Sequence, residues 1–163
     1  MSVKLWLIGT CRLTVDDEPV ELTGNKLLAL LAYLATERGY HSREVLMTLF
    51  WGDFSQERAM NSLRQFLYKL RALLPEGILE TNRLTAGIPA DVLFWTDVAV
   101  LQATANAVDV TTQQLEAATL LINGQFMEGV NLVDAPEFDS WQFQMRHTVQ
   151  MQKVKVLTQL IDR

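Results

Sequence analysis

Asn61, Arg64 and Gln65, with Arg58, Tyr68, Lys69 and Arg71 nearby, carry the groups that nucleic-acid recognition uses. An Asn or Gln amide can bond an adenine edge through two hydrogen bonds, an Arg guanidinium can do so to guanine, and Lys or Arg neutralises phosphates. All seven lie in residues 55–74, which read as one helix. At about 100° per residue, Ala59, Phe66, Leu67, Leu70 and Leu74 fall within about 60° of Leu63 and form one apolar stripe. Arg58, Asn61, Gln65, Tyr68 and Lys69 fall opposite, with Arg64 and Arg71 on one flank. A solvated outer face is the competing reading, because amphipathic helices commonly expose charges there.

Charge distinguishes this helix from the rest. The 163-residue chain has a formal net charge of −5, whereas residues 55–74 carry +3. Such a chain does not coat nucleic acid indiscriminately, yet a local basic face can still steer it onto a duplex.

Other chemistry is sparse. Cys11 is the single cysteine, which excludes an intramolecular disulfide and multi-cysteine zinc sites, and it reads as a small buried thiol in a strand. His41 and His147 have no partner at metal-ligand spacing and read as surface or boundary residues. Asp16, Asp17 and Glu18 form a solvated turn. No Gly-x-Ser-x-Gly elbow, Walker A loop, dinucleotide fingerprint or His-Glu-x-x-His occurs. Gly124 and Gly129 have phosphate-loop spacing but continue into Val130-Asn131, which fits a helix-helix turn. The expectation is a non-enzyme that needs no cofactor and no metal. The longest apolar-rich run, residues 27–35, is too short to span a bilayer and no signal region opens the chain, so a cytoplasmic location without membrane contact is expected.

The elements that must position the basic helix follow from local pattern. Residues 3–8 and 11–15 read as strands joined at Gly9-Thr10, and residues 20–22 as a brief third strand. Residues 24–39 read as a buried helix, ended by Gly39. Ser42 caps a short second helix, and Ser55 caps the third after Trp51-Gly52-Asp53. Residues 78–81 and 84–88 then form a hairpin with Asn82-Arg83 at its tip. Strands, three helices and a hairpin in this order match a winged helix-turn-helix.

Beyond residue 95 the pattern is helical, at 97–107, 111–122 and from Pro136 onward, with no flexible linker before it. Phe138, Trp141, Met145, Val149 and Val156 share one face of the last helix, while Val154, Leu157 and Ile161 make a second apolar stripe. Two stripes need two partners, either further chain or a second copy, and the absence of a capping signal at Arg163 favours further chain.

Several runs resemble those of bacterial transcriptional activator domain proteins, the relatives of the Streptomyces antibiotic regulatory proteins. In the first half these are Arg12-Leu13, residues 28–35, Ser42-Arg43-Glu44-x-Leu46, Leu49-Phe50-Trp51-Gly52-Asp53, Glu57-Arg58-Ala59, Leu63-Arg64, Leu67 and Leu70-Arg71. In the second half they are Trp95-x-Asp97-Val98, Glu116-Ala117-Ala118, residues 122–129, Phe138-x-x-Trp141 and Arg146. The resemblance implies an α+β, mostly α chain. Residues 1–95 would form a small antiparallel sheet plus a winged helix-turn-helix, and residues 96–163 a truncated, tetratricopeptide-like activator domain.

It further implies a sequence-specific transcriptional activator on promoter DNA, often bound as neighbouring copies on direct repeats. Asn61, Arg64, Gln65 and Tyr68 would enter the major groove. Ser42, Arg43, Arg58, Lys69 and Arg71 would meet phosphates, and Asn82 and Arg83 would act from the wing, where Arg83 is the lone cation. The helical half would serve homodimer or RNA polymerase contacts. The alternative is a protein-interaction module without DNA binding, which the net −3 of residues 101–163 also suits.

Overall fold

The computed structural model describes residues 2–163. In chain order the elements are β1 (Val3–Trp6), β2 (Arg12–Val15), β3 (Glu18–Val20), α1 (Asn25–Thr36), β4 (Gly39–Ser42), α2 (Arg43–Trp51), α3 (Gln56–Leu73), β5 (Glu80–Thr81), β6 (Thr85–Ile88), β7 (Trp95–Thr96), α4 (Asp97–Asn106), α5 (Thr112–Thr119) and α6 (Pro136–Ile161). The architecture is α+β and mostly helical.

β1, β2 and β3 form an antiparallel meander. Asp16 and Asp17, both at positive φ, make the two-residue turn between β2 and β3. The third strand therefore lies at Glu18–Val20, earlier than the expected 20–22. β1 ends at Trp6, and Ile8 instead bridges to Phe126. Cys11 sits before β2 and not within it, half-buried. Burial, then the Asp97 charge, pushes its thiol up to about 12, so it stays protonated and unreactive.

Two short strands were not anticipated. β7 runs parallel to β1 and closes the first sheet in the order β3-β2-β1-β7. β4 pairs with β6, giving a second sheet ordered β4-β6-β5. Gly87 permits that pairing, because a Cβ there would lie 1.9 Å from the Gly39 carbonyl oxygen. Gly-Tyr-His-Ser lacks the apolar alternation of a half-buried strand, which is why β4 reads as a helix terminus in sequence.

The helices follow their apolar faces. α1 buries Leu27, Ala29, Leu30, Leu31, Ala32, Leu34 and Ala35. Ser42 Oγ accepts the Val45 N–H at 3.1 Å and Ser55 Oγ accepts the Arg58 N–H at 3.3 Å, so both expected caps form. α5 ends at Thr119, and the chain then turns through residues 120–134 to Pro136 at the start of α6.

The two halves share one core. Phe138 of α6 lies 5.1 Å from the Phe50 ring of α2, and Trp141 lies 5.0 Å from Tyr33 of α1. Trp141 Nε1 also donates to Glu37 Oε1 at 3.1 Å. A second tie is Asp97, only 1% exposed, whose carboxylate oxygens accept the Leu7 and Ile8 N–H groups at 2.8 and 2.9 Å. Burial raises its pKa against the opposing pull of the Ile8 and Leu7 amides. α6 then fastens the turn before it: Gln142 donates to the Val130 carbonyl, Arg146 to those of Phe126 and Met127, and Lys153 to that of Gly124. Among the described residues, no helix is long and apolar enough to cross a membrane.

Removing the Asp97 carboxylate strands two buried amides, each costing about 1–3 kcal/mol. Asp97→Ala is expected to lower unfolding free energy by about 2–4 kcal/mol in urea titration. A change within experimental error would show that the amides find other partners.

Candidate nucleic-acid interface

α3 is held from below and open above. Ala59, Leu63, Leu67 and Leu70 are buried, and Phe66, half-buried, meets the Trp51 ring edge-on at 5.1 Å. This fixes the rotation of the helix. Arg58, Asn61, Arg64, Gln65, Tyr68, Lys69 and Arg71 are consequently all exposed, with Tyr68 at 77%. The expected outer face is thus one continuous solvent-facing surface.

Two of its cations rest on aromatic rings. Arg58 lies 4.6 Å from the Phe54 centroid and Lys69 lies 5.6 Å from that of Phe66. Such contacts orient a charged head without neutralising it.

α2 and the wing add the remaining candidates. The Ser42 hydroxyl oxygen is engaged as the α2 cap, which leaves its hydrogen free to donate. Arg43 is pinned to the wing: its N–H donates to the Leu84 carbonyl at 2.9 Å and its Nε to the Asn82 carbonyl at 2.8 Å. Burial, then the nearby Arg64 charge, lowers its pKa. Arg71 Nη1 reaches Thr81 Oγ1 at 3.4 Å, so the end of α3 also touches the wing.

The wing turn is Asn82-Arg83-Leu84, one residue longer than expected. Asn82 Oδ1 accepts the N–H groups of both Leu84 and Thr85 at 2.8 Å. Asn82 therefore shapes the turn with its carbonyl face, while Arg83 and Leu84, the latter 76% exposed, project at the tip. Two further residues escaped sequence reading. Tyr40 of β4, 56% exposed, donates to Glu80 Oε2 at 2.7 Å. Arg38 donates to the carbonyls of Pro89, Val92 and Phe94, holding the segment between wing and β7. Neither carries a local signal, because each partner lies 40 or more residues away.

Arg43, Arg64, Tyr68 and Arg71 come together around a groove of about 680 Å3 between α3 and the wing. Arg58 and Asn61 lie further toward the start of α3, outside that lining. Among the described residues, no cluster of His, Cys, Asp and Glu could hold a metal ion.

No protein-family model matches the chain, and no curated protein matches it. A solved structure does: Mycobacterium tuberculosis EmbR in complex with a low affinity phosphopeptide, at a TM-score of 0.72 and 20% identity. The chain shares the fold of the matched part of EmbR. The match covers 97% of this chain, both halves included, and 44% of that one, so the chain spans less than half the length of EmbR. At this identity the shared property is the fold, and the phosphopeptide belongs to the EmbR structure alone.

Asn82→Ala removes the acceptor for two turn amides, whereas Asn82→Asp retains it. The alanine variant is expected to lose about 1–2 kcal/mol of stability and the aspartate variant less than half of that. Equal losses in thermal or urea unfolding would contradict the assigned turn role.

Proposed function

We propose that the chain is a sequence-specific, DNA-binding transcriptional regulator, an activator of the Streptomyces antibiotic regulatory protein type acting in the cytoplasm without catalysis. The observation that carries this reading is the exposed face of α3. It joins amide, guanidinium and ammonium groups on a helix that follows a capped α2 and precedes a wing. A helix-turn-helix places its second helix in the major groove, and the hairpin after it meets the neighbouring backbone.

In this reading Asn61, Arg64, Gln65 and Tyr68 contact base edges. Arg58, Lys69, Arg71, Ser42 and Arg43 contact phosphates, and Arg83 reaches from the wing tip beside the turn that Asn82 shapes. Residues 1–95 are the winged helix-turn-helix domain, and residues 96–163 are a tetratricopeptide-like activator domain serving homodimer or RNA polymerase contacts. Promoter direct repeats suit neighbouring copies. The exposed Phe143, Val154, Leu157 and Ile161 on α6 support partner contacts there.

If about five phosphates are neutralised, log affinity falls against log salt with a slope of about −4 to −5. Anisotropy of a labelled duplex, selected from random sequence on the immobilised full chain, measures this slope. A slope near zero, or no duplex enriched, would leave the helical half as the functional part.

Arg64→Ala should weaken the selected duplex by about 1–3 kcal/mol, and Gln65→Ala should relax base preference in a repeated selection. Wild-type affinity and wild-type preference in both variants would overturn the assignment of α3.

A further inference from the structure

The groove between the second half of α3 and the wing combines unpaired cations with an apolar lining. Arg43, Arg64 and Arg71 line it, together with Glu76, and none of the three arginines is ion-paired. Lys26–Asp134 is the one ion pair among the described residues. Arg43 Nε donates to the Asn82 carbonyl at 2.8 Å, which orients its guanidinium, and the Arg64 charge is near enough to add to the lowering of its pKa by burial. Three arginines lining one concavity favour an anion that can accept several N–H bonds at once.

The rest of the lining is of another kind. The edges of the buried Leu67, Leu74 and Leu79 line it, together with Pro75, Ala72 and the exposed Tyr68. A backbone phosphate or inorganic phosphate would use the arginines and leave this apolar surface wet. A phosphate ester with an aromatic or alkyl body uses both. The volume, about 680 Å3, falls in the range of about 300–1,000 Å3 in which small ligands bind.

We propose that this groove binds a small amphipathic phosphate ester, its head on Arg43, Arg64 and Arg71 and its apolar body against Leu67, Ala72, Pro75 and Leu79. Because Arg43, Arg64 and Arg71 are also among the DNA contacts, an occupied groove competes with DNA. The competition rests on the DNA reading above; the binding does not.

1-Naphthyl phosphate is the probe, titrated calorimetrically into the full chain at constant ionic strength, with inorganic phosphate as the comparison. The ester is expected to bind at least about tenfold more tightly than inorganic phosphate, through its buried naphthyl surface. Arg71→Gln should weaken it, and Ala72→Trp, which fills the groove from an exposed position, should abolish it while leaving thermal unfolding unchanged. Equal affinity for ester and inorganic phosphate, or undiminished ester binding by Ala72→Trp, overturns the site. Added to the complex with the selected duplex at constant ionic strength, the ester should release the duplex. Ester binding without release overturns the competition. Ester binding by a chain that enriches no duplex keeps the site and removes the DNA function.

Discussion

The contact between Phe50 and Phe138, 5.1 Å apart at their ring centres, joins the two halves, and the rest of the structure is arranged around it. Both rings are fully buried, one on α2 and the other on α6. α2 packs against α3, so the helix that settles on Phe50 also fixes the platform from which α3 is presented. The aromatic seam extends through Trp141 to Tyr33 and Phe126. Interiors packed at crystal-like density have few alternative arrangements, so the orientation of α3 depends on Phe138, 65 or more positions further along the chain, as well as on its own neighbours.

Polar groups complete what the seam begins. Asp97, Arg38, Gln142, Arg146 and Lys153 all end on backbone groups of irregular segments, where no ladder satisfies the amides and carbonyls. Burial of Lys153 lowers its pKa while the Glu128 charge opposes that shift, and its Nζ donates to the Gly124 carbonyl. The loops at 89–94 and 124–130 are thereby fixed without secondary structure. Arg43 does the same for the wing, and in doing so joins α2, the wing and the groove into one surface.

Much of this was legible in sequence. The stripe from Ala59 to Leu74 defined α3 and its outer face because helical periodicity is local, and Ser42 and Ser55 marked caps whose partners lie three residues away. β4 and β7 were not legible, since four and two residues without apolar alternation acquire their identity from β6 and β1. The engagement of Asn82 in its own turn was hidden for another reason: the same amide that can read a base can also bond its own backbone, and only the turn geometry decides. The second apolar stripe of α6 is present as expected, with Val154, Leu157 and Ile161 all exposed.

Whether α3 and the wing form the proposed DNA-binding surface is tested most directly by amide chemical-shift mapping of the isotope-labelled full chain with a selected duplex. Perturbations concentrated at residues 58–71 and 82–84, with Asp97 and the Phe138 face silent, are the predicted result. Saturable binding whose perturbations fall on the outer face of α6, with residues 58–71 unmoved, would contradict it.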